Sequence, residues 1–124
     1  MHTNLAEIRE DLLQLHKALL EYQKHIYETA SGPMQNPNHF YNLVISDPSF
    51  AWLRTLSALV VSIDEMLDSK EAISDEKLAS IAKYTNKLLS TTNETDVFTT
   101  NYSAALQNDP VVKQLHDKII ALLS

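Results

Sequence analysis

The chain has 124 residues, a formal charge of −6 and an isoelectric point near 5.2, and its length suits one domain over residues 1–124. It holds no Cys and a single Gly, which excludes disulfides and thiolate metal sites and argues against a fold rich in tight hairpins. The acidic balance disfavours nucleic acid or an anionic membrane as a main partner, and the longest apolar run, residues 119–123, is far short of the ~18 residues a membrane span needs.

The first predicted helix runs from about Asn4 to Ala30. Asn4 with Glu7 reads as a cap with a reciprocal partner. Leu5, Ile8, Leu12, Leu15, Leu19, Tyr22 and Ile26 recur at intervals of three and four, and Leu13, Leu20 and Tyr27 widen the stripe. Gly32-Pro33 ends it. Its opening residues are polar and carry a helical pattern, unlike a signal or transit peptide, so a cytoplasmic location is expected. On that expectation the acceptor patterns Asn93-Glu94-Thr95 and Asn101-Tyr102-Ser103 carry no meaning.

Residues 31–39 form a connection containing two prolines. Phe40–Ile45 is short and apolar and fits either a helical turn or two or a buried extended segment. The second long helix opens at Asp47-Pro48 and continues to about Asp68, with Leu53, Leu56, Val60, Ile63 and Leu67 in line and Trp52, Leu59 and Met66 broadening the face. The third starts at Ser74, with Asp75 and Glu76 in its first turn, and runs to about Ser90; Thr91–Asp96 reads as a polar loop. The last segment is marked by Phe98, Tyr102, Ala105 and Leu106, then by Val112, Leu115, Ile119 and Leu122. Asp109-Pro110 lies between the two halves, where proline disfavours helix in the preceding residue. The expected fold is all-α: an antiparallel four-helix bundle whose last helix is kinked or split at Asp109-Pro110.

Two stretches, residues 47–64 with Asp47-Pro48-Ser49-Phe50-Ala51-Trp52-Leu53-Arg54 and residues 102–116 with Asn108-Asp109-Pro110-Val111-Val112, resemble a group of small bacterial helical proteins that has no established activity. The group carries Pro where this chain has Thr55. The resemblance implies bacterial origin and an all-helical fold, and transfers no catalytic residues.

Polar residues set among apolar ones mark where a site would lie. Arg9, His16 and Gln23 are seven apart on the first helix, Ser57 and Asp64 are seven apart on the second, and His116 lies between Val112, Ile119, Ile120 and Leu123. Buried and unpaired, such groups would cost several kcal/mol, so they are expected to meet one another or water. Asp64 is able to accept from Arg9 or from either imidazole. The bland reading is an interior polar column that fixes helix register. The sharper one is a ligand site on His16, Asp64, His116, Arg9 and Ser57, two His and one carboxylate being enough for a divalent metal.

Several catalytic patterns are missing. Ser57, Asp64 and either His lack a nucleophile turn and an oxyanion hole. Glu21 and His25 have the i, i+4 spacing of a helix metal site but fall off the main stripe, and the pattern of Glu-x-x-His on two helices is absent. The acidic residues between Asp64 and Glu76 read as a solvated turn. Trp52 is expected in the core, and Arg54 is expected to pack its stem and pair with a carboxylate. The broad apolar arc of the first helix points to a non-enzymatic protein acting through association, as a homo-oligomer or with another protein, unless Phe40–Ile45 folds over the excess. No cofactor is expected. A metal- or small-ligand-binding bundle, with its site between the first, second and last long helices, is the alternative.

Overall fold

A computed structural model describes residues 5–90 and 96–123. These residues form helices α1 (Leu5–Ser31), α2 (Pro37–Ser46), α3 (Pro48–Ala51), α4 (Arg54–Asp68), α5 (Asp75–Leu89), α6 (Val97–Asn108) and α7 (Pro110–Leu123), with no strand among them. The Asn4 cap, the loop over 91–95 and the Asn93 acceptor lie outside the described residues.

Helix starts follow the side chains that satisfy first-turn N–H groups. The carboxylates of Asp47 and Asp96 accept from the N–H two residues on, while the Asn36 amide and Ser74 hydroxyl accept from the N–H three residues on. Gly32 ends α1 at φ 92°, a left-handed conformation that glycine adopts without the Cβ penalty. Asp109 serves two helices. Its N–H donates to Ala105 O (2.9 Å) to close α6, and its Oδ1 accepts from the Val111 N–H (2.9 Å) to open α7. Its own backbone is extended, as a residue before proline requires. The split at Asp109-Pro110 is therefore present.

The apolar segment around Phe40–Ile45 takes the helical alternative, as the ten-residue helix α2 opened by Asn36 and Pro37, longer than a turn or two. The helix expected to run unbroken from Pro48 to Asp68 is interrupted at Trp52-Leu53, where the Leu53 N–H donates to Phe50 O in a tightened turn. On a straight helix Trp52, Leu53, Leu56, Leu59, Val60 and Ile63 share one arc, and Phe50 lies about 120° from its centre. All seven are buried. The interruption re-aims Phe50, which meets Tyr27 of α1 and Phe40 of α2 at ring separations of 6.3 and 5.9 Å.

The fully buried apolar residues of α1, α3, α4, α5, α6 and α7 and the turn between α3 and α4 form one cluster. Leu12, Leu15 and Leu19 are completely buried, as are Leu56, Ile63, Leu89, Val112 and Ile119. Trp52 is in this core, as expected, beside Phe98. α1 packs chiefly on α4 and α7, and α5 packs on α6 and α7. α2 buries no residue completely, but its Phe40 ring lies under Lys24 Nζ and its His39 ring meets Tyr27 edge-on. It thus covers part of the far end of α1, while Leu13 and Ile26 stay exposed. Among the described residues Arg54 pairs with no carboxylate. Its guanidinium donates to the Ile45 carbonyl in the last turn of α2 and ties that helix to α4.

Candidate functional site

Of the five residues singled out in the sequence, Arg9 and Asp64 come together. Arg9 Nε donates to Asp64 Oδ1 across the α1–α4 seam, with about a third of each side chain exposed. Ser57, one of those flanking the seam on α4, turns back on its own helix and donates to the Arg54 carbonyl at 3.1 Å. His16 is half-buried and makes no hydrogen bond among the described residues; burial holds its imidazole below the ordinary value and so neutral at pH 7. At the far end of the same α1 column, Gln23 is buried and its Oε1 accepts from the Trp52 indole N–H at 3.2 Å. That bond satisfies an indole which would otherwise be buried unpaired.

His116 meets a residue that sequence reasoning placed only in the core. The Tyr102 hydroxyl lies 2.7 Å from His116 Nδ1, and the Tyr102 ring, fully buried, stacks on Phe98 at 5.4 Å. Burial raises the Tyr102 pKa, with help from the Asp117 carboxylate. Burial also lowers that of His116, with Lys113 adding to the effect and Asp117 opposing it. The phenol therefore keeps its proton and the imidazole is neutral. Between two neutral groups the direction follows the tautomer: with the imidazole proton on Nε2, Tyr102 O–H donates to Nδ1. Neither His16 nor His116 hydrogen-bonds to Asp64.

The least anticipated group is Asp11. Its side chain is almost wholly buried between α1 and α7, and its Oδ1 accepts from Lys118 Nζ at 3.0 Å. Its Oδ2 has no hydrogen-bond partner among the described residues. The hydrogen bond to Asp11 and the Asp11 charge, then Glu7 and Glu10, raise the Lys118 pKa. The sequence signal for Asp11 was its position three residues after Ile8 and four before Leu15, both core residues. Nothing in the sequence pointed to Lys118.

Among the described residues no three His, Asp or Glu side chains are grouped so as to hold a metal ion. Glu21 and His25 are exposed on α1. A shallow surface depression of about 770 Å³ runs along the outward side of α1, reaching Asp109, Val111 and Leu115. Its apolar residues include Leu13, Ala18 and Leu20, and its charged ones include Glu10, Lys17 and Glu21. No nucleophile and base are paired within it. Mixed charge around an apolar floor suits binding rather than bond-making. Comparison with protein-family models, curated proteins and solved structures finds no match.

Proposed function

We propose that this chain is a non-enzymatic, cytoplasmic helical protein that acts through association, with a second copy of itself as partner. In this reading α1, α4, α5 and α7 are the four rods of an antiparallel bundle, and α6 folds back beside α7 at the Asp109 corner, as the Tyr102–His116 contact requires. Paired contacts support that arrangement. Arg9 meets Asp64 while Gln23 meets Trp52, so α1 positions rise as α4 positions fall. Asp11 meets Lys118 while Glu21 shares a depression with Asp109, which gives the same sense for α1 and α7.

The observation that carries association is the outward side of α1. Leu13 and Val111 are exposed there at 37% and 54%, within one depression and among charges of both signs. The interior polar residues pair mainly with one another and serve register rather than chemistry. Native mass spectrometry and sedimentation equilibrium test the reading together. A two-chain mass at micromolar concentration is expected. A one-chain mass at high micromolar concentration, with no partner recovered from cells, would overturn it. The same spectrum reports any added mass from a metal or small ligand.

A further inference from the structure

Resting on the association reading above, the inference concerns how two copies meet. At about 100° per residue, the α1 line opposite buried Ile8, Leu12, Leu15 and Leu19 passes near Glu10 and Lys17. The contacts Arg9–Asp64 and Asp11–Lys118 place α4 on one side of that line and α7 on the other. The α4 flank carries Leu13, Lys17, Leu20 and Lys24, apolar and basic. The α7 flank carries Gln14, Ala18 and Glu21 beside Asp109: an amide, a methyl and two carboxylates, with no basic side chain among them. Lys17 and Glu21 form no ion pair within the described chain, and Lys preceding Glu by four residues is the weaker order for one.

From this sidedness we infer that the chain forms a two-fold dimer through α1, with the axis along the helix and the two α1 helices parallel and in register. Such an axis sets each flank against the opposite flank of the other copy. Lys17 then lies within a lysine's reach of Glu21 of the partner subunit, offset by roughly 6 Å along the helix, and Lys24, whose Nζ sits over Phe40 of its own chain, adds its charge to the same flank roughly 4.5 Å to the other side. Leu20 faces the small Ala18 of the partner subunit. An axis across α1 would instead set lysines against lysines and carboxylates against carboxylates.

Charge reversal tests this directly. Lys17→Glu and Glu21→Lys alter exposed side chains, and circular dichroism checks that each variant keeps its helix content. Each alone is expected to weaken the dimer by about tenfold. Mixing the two, one of them ¹⁵N-labelled, is expected to give a mixed dimer favoured over either variant's homodimer in native mass spectra, and weaker than wild type because Lys24 then meets the reversed charge at position 21. The absence of cysteine in the chain allows a second test: Glu10→Cys and Lys24→Cys, made separately, should each cross-link to their own copy. A wild-type monomer overturns association itself. A wild-type dimer that ignores both reversals, or cross-links at only one of the two positions, leaves association standing and overturns the parallel arrangement.

Discussion

Replacing Tyr102 by Phe removes one oxygen and leaves the ring that stacks on Phe98 in place. Among the described residues, the hydrogen bond lost is the 2.7 Å contact to His116 Nδ1. Stranding a buried acceptor costs about 1–3 kcal/mol. His116 is only half-buried, so water recovers part of this and about 1–2 kcal/mol is expected. For a chain of this length that lowers Tm by about 4–8 °C. The pH dependence carries a second signature. His116 is lowered from its ordinary 6.5, first by burial. Above that value the imidazole is neutral in both folded and unfolded chains, and its contribution to stability is complete. As pH falls below 6.5 the unfolded chain takes up the proton first, so stability drops until the folded imidazole also titrates. Without the phenol the imidazole is a freer base, and this acid limb should be shallower. Thermal melts of both proteins between pH 8 and about pH 5 measure it, and ¹⁵N shifts of the wild type should show Nδ1 unprotonated. Equal Tm at pH 8 together with superimposable acid limbs would refute the assignment of Tyr102 as donor.

Other substitutions test the remaining polar contacts. Gln23→Leu removes the acceptor of the buried Trp52 N–H and should cost about 1–3 kcal/mol, read by urea titration of the fluorescence of the chain's one Trp. Asp109→Ala removes the side-chain acceptor at the start of α7 and should cost about 1 kcal/mol, whereas Asp109→Asn should come close to wild type in the same titration. Lys118→Met leaves the buried Asp11 carboxylate without its hydrogen-bond donor and should lower Tm. Adding Asp11→Asn should restore much of that loss, and a double variant no better than the single would argue against the pair.

The elements were legible because their signals are local. Asp47-Pro48 and Ser74 announce helix starts through groups one to three residues away, and the three-four apolar spacing of α1 selects Ile8, Leu12, Leu15 and Leu19 for the core. The meeting of Arg9 with Asp64 was legible as a possibility, because two charges set inside apolar faces need partners. What the sequence could not show depends on contacts between distant residues. Lys118 is 107 residues from Asp11, and Trp52 is 29 from Gln23. The tightened turn at Trp52-Leu53 answers to the Phe50 cluster with Tyr27 and Phe40, and no residue there breaks a helix. The candidate site was less legible than the fold, because axial register decides whether His16 and His116 approach Asp64, and spacing along one helix says nothing about its neighbour.

The corner at Asp109 works as a ruler. Tyr102 and His116 are fourteen residues apart, on the two arms of a joint that has no slack: one residue finishes α6 and opens α7. Adding a single residue to this extended joint would lengthen it by about 3.5 Å and shift everything beyond it. The imidazole would swing away from the phenol and Lys118 away from Asp11 in the same movement. Length at this joint is therefore held as tightly as identity, and a chain descended from this one should tolerate a changed side chain at the corner more readily than an inserted one.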